Sequence, residues 1–134
     1  VYSGNEKGLL PLIEVMRSDG DWRIRAAAAK GLGNFANIGQ VEPLIQALNY
    51  DPNSYVRSDA ANALGNLNDT RAIGPLSISL EHNDPMVRAS AAYALGRLRH
   101  AKAIDSLNKA LNDEDPNVRV AAQWSLDKLN YSIA

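Results

Sequence analysis

The chain has 134 residues, enough for one domain with a buried core. Its 14 basic and 15 acidic residues leave a net charge of −1, without the basic footprint of a non-specific nucleic-acid binder. It contains no cysteine, which excludes disulfides and thiol catalysis. No apolar run approaches the ~20 residues that span a bilayer, and no signal-peptide pattern opens the chain, so a cytoplasmic protein is expected. The first residue is Val1 rather than Met, which points to processing or to excision from a longer chain.

Four segments nearly repeat one another: WRIRAAAAKGLGNF (22–35), YVRSDAANALGNL (55–67), MVRASAAYALGRL (86–98) and NVRVAAQWSLDKL (117–129). Their arginines, Arg25, Arg57, Arg88 and Arg119, recur at spacings of 32, 31 and 31 residues. A fixed period of this length signals a repeat architecture. Each segment follows a second recurring one, so every repeat reads as two helices, A and B. The single domain, 1–134, divides into repeats at roughly 8–36, 40–68, 72–99 and 103–130.

In the first repeat helix A is LLPLIEVM (9–16), with Pro11 near its start and Leu12 inward. Helix B opens at Asp21, an N-cap residue type, and its helical spacing turns Ile24, Ala28, Leu32 and Phe35 toward the core. The second repeat gives VEPLIQAL (41–48), with Pro43 and Leu44; a cap at Asn53; and Val56, Ala60, Leu64 and Leu67 inward. NDTRA (68–72) connects it to the third repeat. There IGPLSISL (73–80) carries Pro75 and Leu76, Asp84 and Pro85 start helix B, and Val87, Ala91, Leu95 and Leu98 face inward. The fourth repeat has IDSLNKAL (104–111) with Leu107, then Asp115 and Pro116, then Val118, Ala122, Leu126 and Leu129. Gly33, Gly65 and Gly96, with the neighbouring alanines, let adjacent B helices approach closely. No strand pattern competes, so the fold is an all-α solenoid of four helical hairpins.

The two ends differ. Gln123 and Asp127 stand where earlier repeats have Ala and Gly, as a polar terminal cap requires. Leu10 and Val15 stand where later A helices carry polar or small residues, so the N-terminal edge is expected to contact another subunit or an upstream segment.

Arg25, Arg57, Arg88 and Arg119 are each flanked by core residues. They read as a structural ladder rather than an anion-binding row, reaching loop carbonyls or acids such as Asp69 with charge-assisted bonds. His82 and His100 fall in predicted loops, at non-equivalent places in their repeats, and read as two solvated side chains; no metal site is expected.

DPNVRVAA (115–122), DPMVRASAAYALGRL (84–98) and VEPLIQAL (41–48) closely resemble the short HEAT-like repeat of the phycobilin-lyase type, and the resemblance runs from about residue 8 to 130. It implies a right-handed α-solenoid. The family includes subunits of bilin lyases, phycobilisome-degradation factors, a metal-dependent deoxyhypusine hydroxylase and many adaptors, and fold alone does not choose among them. The hydroxylase branch holds iron through repeated His-Glu pairs. Neither histidine here is followed by Glu, which removes that option.

In solenoids of this family the B helices line the concave side. Offsets −2, +1, +5 and +9 from each ladder arginine then form the groove stripe. They give Arg23, Ala26, Lys30 and Asn34; Tyr55, Ser58, Asn62 and Asn66; Met86, Ala89, Tyr93 and Arg97; and Asn117, Val120, Trp124 and Lys128, with Trp22 beside the first. Four of the chain's eight aromatic residues lie at or beside this stripe. Aromatic anchors interleaved with arginine suit a protein-binding hot spot, although Trp22 and Trp124 also suit a role covering the ends of the core. The groove residues are accordingly read as Trp22, Arg23, Lys30, Tyr55, Asn62, Met86, Tyr93, Arg97, Trp124 and Lys128. Four dispersed cations, Arg23, Lys30, Arg97 and Lys128, on a nearly neutral chain argue against a nucleic-acid partner. No amphipathic basic helix argues for a membrane.

No catalytic constellation accompanies the stripe: no Gly-rich phosphate loop, and no histidine placed to activate Ser58, Ser90 or Ser125. The first reading is a non-catalytic scaffold or adaptor, without cofactor, that binds a partner protein on its concave face. The alternative is a bilin-lyase-like or phycobilisome-associated subunit that binds a bilin or a phycobiliprotein.

Overall fold

The computed structural model describes the backbone of residues 4–35 and 39–133 and the side chains of 8–35 and 39–130. Val1 and Ala36, the last residue of the first expected repeat, lie outside these. Among the described residues the chain forms eight α-helices: α1 (Gly4–Ser18), α2 (Trp22–Leu32), α3 (Val41–Tyr50), α4 (Ser54–Leu67), α5 (Ile73–Ser79), α6 (Pro85–Leu98), α7 (Ile104–Ala110) and α8 (Pro116–Ile133). Odd-numbered helices are the A members and even-numbered ones the B members of four hairpins.

The B helices start where their caps dictate. Asp21, Asn53 and Asp84 are extended and accept the amide N–H two residues on; Asp115 does the same for Asn117 at 2.8 Å. Helix A is more variable than a ten-residue element. In the third and fourth repeats the 3-10 turns Thr70–Ala72 and Ala101–Ala103 lead into helix A, which starts where expected but ends early, at Ser79 and Ala110, leaving α5 and α7 seven residues each. In the first repeat the polar residues before Leu9 continue the helix upstream, so Pro11 sits inside α1 rather than near its start.

Leu44, Leu76 and Leu107 of the A helices meet Leu32, Leu64 and Leu95 of the B helices in one continuous core. Ile24 departs from the expected inward set: it is 46% exposed, while Val56, Val87 and Val118 are wholly buried. Its side of the helix leans toward a preceding repeat, and α2 has no described repeat before it. Val120 shows the complementary effect at the other end, 60% exposed on the side of α8 that no described helix covers.

Consecutive B helices pack much more closely than consecutive A helices do. Glycine sets that approach: a Cβ built on Gly33 would lie 2.9 Å from the Cα of Ala63, and one on Gly65 would lie 2.8 Å from that of Ala94. A row packed more tightly on one side curves toward that side, so the B helices form the inner surface. On an exposed face of α8, Gln123 and Asp127 are bonded to each other at 2.9 Å. At the other end Leu10 is exposed and Val15 packs against the core.

Candidate functional site

The inner surface carries two aromatic pairs, each bridging one junction between repeats. Trp22 stacks on Tyr55 with ring centroids 5.1 Å apart, joining the first repeat to the second at the starts of their B helices. Tyr93 meets Trp124 edge-on at 5.4 Å, joining the third to the fourth, and the ammonium of Lys128 sits 5.0 Å over the Trp124 ring. Tyr55 and Trp124 remain 55% and 38% exposed despite this contact. Tyr93 is half-buried and packs against the core.

A cleft of about 440 Å³ opens beside Tyr93, lined also by Asn62, Met86, Ala89, Asp84 and Asp115. Arg97 reaches back across the second junction toward the Asn62 carbonyl at 3.5 Å. The remaining two stripe cations have acidic neighbours. Arg23 is tied to its own cap, Asp21, at 2.9 and 3.0 Å, and Lys30 lies close enough to Asp59 to offset part of the rise that burial imposes on that carboxyl. Two of the four +1 positions leave the stripe, while Ala89 stays on the cleft wall and Val120 is exposed. Ala26 and Ser58 are buried in the seam with the following B helix, and Ser58 shares a hydrogen bond with Ser90 there.

The ladder arginines point away from this surface, toward the loops that join helix A to helix B within the hairpins. Arg25 donates from Nε and Nη2 to both carboxylate oxygens of Asp51, at 3.0 and 3.2 Å, and from Nη1 to the Asp19 carbonyl. Arg88 repeats this with Asp113, at 2.9 and 3.0 Å, and with the His82 carbonyl. Burial raises the Asp113 carboxyl, but the Arg88 bond and the Asp115 amide outweigh it and hold the group below the ordinary carboxylate value. Arg119, in the fourth repeat, bonds the carbonyls of Asp113 and Glu114 and no carboxylate among the described residues. Asp69 is not a ladder partner: it caps the turn at Thr70 and pairs with Arg71 at 3.0 Å, because it sits at the opposite end of the helices from the arginines.

The residue six before each ladder arginine organises these junctions, and the spacing was there to be read. Asp19, Asp51, His82 and Asp113 occupy that position, and each accepts the backbone N–H two residues on. His82 is therefore a half-buried capping group, not a solvated loop side chain. His100 likewise uses Nδ1 to cap a turn, at Lys102, as Asp69 does one repeat earlier. A second cleft, about 560 Å³, opens on this loop side, but its walls include the mutually neutralised Arg88 and Asp113. Among the described residues no group of three metal-ligating side chains occurs, and no helix is long and apolar enough to cross a membrane.

Comparison with curated proteins returns no match. Among solved structures, human deoxyhypusine hydroxylase in complex with glycerol superposes with a TM-score of 0.79 at 23% identity, covering 92% of this chain and 43% of that one. An engineered protein aligns at 28% identity with a TM-score of 0.70, covering 92% of this chain and 64% of the other. The complex of CpcE and CpcF of phycocyanin lyase from Nostoc sp. aligns at 22% identity with a TM-score of 0.64, over 90% of this chain and 64% of that one. The chain thus spans between 43% and 64% of the length of these structures. The family described as HEAT repeats matches residues 9–80 and 74–134, and with the paired helices and their recurring capped starts this places the chain in the HEAT-repeat family.

Proposed function

We propose that this chain is a non-catalytic scaffold that binds a partner protein across the inner face of its B helices. The observation that carries this reading is the placing of two aromatic pairs, Trp22–Tyr55 and Tyr93–Trp124, on that one face, with Trp22, Tyr55 and Trp124 exposed. Rigid, paired aromatics lose little side-chain freedom on binding and offer large contact area, which is why they dominate interface hot spots. The cleft beside Tyr93, with Met86 and Ala89 also on its walls and Asn62, Asp84 and Asp115 among its polar lining, suits an apolar side chain whose flanking backbone amides seek acceptors. Arg97 beside Asn62 and Lys128 over Trp124 would favour acidic groups in the partner.

The test compares affinity captures with the intact chain and with the Tyr55→Ala/Trp124→Ala variant, both changes at exposed rings. A protein retained only by the intact chain, from two baits with closely similar melting temperatures, supports the groove. Equal recovery on both baits rejects it. The bilin-lyase-like alternative has fold likeness in its favour. Under it the captured protein is a phycobiliprotein or lyase partner, and a free bilin changes its visible absorption on mixing with the chain.

A further inference from the structure

The second junction lacks the clamp that its neighbours have. At the first and third, the ladder arginine closes on the carboxylate six residues before the next arginine, Arg25 on Asp51 and Arg88 on Asp113. At the second, that position holds His82, and Arg57 has no carboxylate to meet. Its guanidinium has turned: Nε, not Nη1, bonds the Asp51 carbonyl, and its Nη groups have no acceptor among the described residues. His82 accepts the Asp84 amide on Nδ1 at 3.0 Å, which places the ring proton on Nε2 as a second donor. The two side chains are near enough for Arg57 to weigh on the imidazole. Arg57 and His82 thus turn free donors to a place where the same scaffold twice holds a carboxylate, and the Asp84 carboxylate near the imidazole is already engaged in accepting the Met86 amide.

We infer that Arg57 and His82 form a binding site for a carboxylate group, supplied from outside the chain. The ligand completes the clamp that Asp51 and Asp113 provide internally at the other two junctions. Its source is either an acidic side chain of a partner or a free small carboxylate. The site lies on the loop side, away from the aromatic groove, and does not depend on the groove's function.

The experiment is a sodium formate titration of the intact chain at constant ionic strength, followed by NMR of the arginine Nε–H and histidine ring signals. The expected result is a saturable shift at Arg57 and His82, with Arg25 and Arg88 unmoved. Arg119, which also lacks a carboxylate but has no imidazole beside it, reports non-specific association; an equal response there, or none at Arg57, overturns the proposal. The variant His82→Asp carries its own carboxylate, so it should lose the formate response and melt higher than the parent. An undiminished response in that variant would also overturn the site. A parallel titration with N-acetyl-aspartamide separates the sources: tighter binding than formate assigns the site to an acidic side chain on a peptide, and weaker binding to a free carboxylate. Failure of the groove test would leave these signals unchanged.

Discussion

Arg88 and Asp113 lie against one another across the junction between the third and fourth repeats, the guanidinium donating from Nε and Nη2 to the two carboxylate oxygens at 2.9 and 3.0 Å. Arg88 is 8% exposed, and its Nη1 also holds the carbonyls of His82 and Asn83. One side chain thus satisfies a carboxylate in the next repeat and two loop carbonyls in its own.

Arg88→Ala removes all of these bonds and leaves Asp113 nearly buried without its counter-ion. Breaking a pair of this kind costs about 3 kcal/mol. Arg119→Ala, which removes bonds to two carbonyls at the exposed end, should cost about 1 kcal/mol or less. Urea denaturation of the two variants checks the ranking, and equal losses would contradict the clamp.

Glycine placement makes a second prediction. A Cβ on Gly96 would come within 2.6 Å of the Ser125 Cβ, closer still to its Oγ, and 2.8 Å from its Cα. Ser125 cannot yield, because it is fully buried and its hydroxyl donates to the Ala92 carbonyl at 2.6 Å. Gly96→Ala should therefore destabilise by roughly 2 kcal/mol through overpacking, despite alanine's better helix propensity. Gly74 has nothing within 4 Å of a built Cβ, so Gly74→Ala should be neutral or slightly stabilising. Thermal melts of the pair separate the close approach from a general effect of alanine.

Much of this fold was legible because the repeats report on one another. The capping residues Asp21, Asn53, Asp84 and Asp115, the buried leucines and the three seam glycines all recur at fixed offsets, and the structure uses them as the pattern implies. The pattern misled at the edges. Ile24 matches the periodicity of Val56, but burial needs a neighbouring repeat, which no offset within one helix can supply. Two of the +1 positions failed for a related reason. Helical phase places Ala26 and Ser58 between the groove and the next helix, and only the tightness of the seam decides which surface takes them. The ladder partners were missed although their spacing was fixed, because His82 interrupts the Asp series that would have revealed it. The aromatic pairs were legible as a stripe but not as pairs, since ring contacts join different helices.

Arg99 ends α6 at φ 51°, in the left-handed region, where Asn68 ends α4 at φ 55°. Asparagine tolerates this conformation and an ordinary side chain does not, the strain being about 1 kcal/mol. Arg99 is exposed, so replacing it removes no buried contact. Arg99→Gly should raise stability by about 1 kcal/mol, less the entropy that glycine gains in the unfolded chain. Asn68→Gly should bring a smaller gain, and chemical denaturation of both variants tests the order.

His82 should give the protein a pH dependence distinct from ordinary acid unfolding. Burial, then the Arg57 charge, lower its pKa from the ordinary 6.5; Asp84 partly opposes this and Arg88 adds to it. Glu81, Lys109, Asp113 and Glu114 line the adjoining cleft, with Asp113 already neutralised by Arg88. A folded value below the unfolded one means that the unfolded chain binds more protons in the interval between them. The stability from neutral His82 is therefore complete above about pH 6.5 and is lost as pH falls through the lower folded value. Protonation also removes the Nδ1 acceptor for the Asp84 amide, so the cap of α6 weakens in the same window. The depressed Asp113 titrates lower, below the ordinary carboxylate value of 3.8, and its stabilising contribution is lost only there. His82→Asn keeps a side-chain acceptor for the amide but does not titrate. Its unfolding free energy should stay flat between about pH 7.5 and pH 5, while that of the parent falls. Parallel profiles for the two proteins across that interval would show that His82 does not carry the dependence.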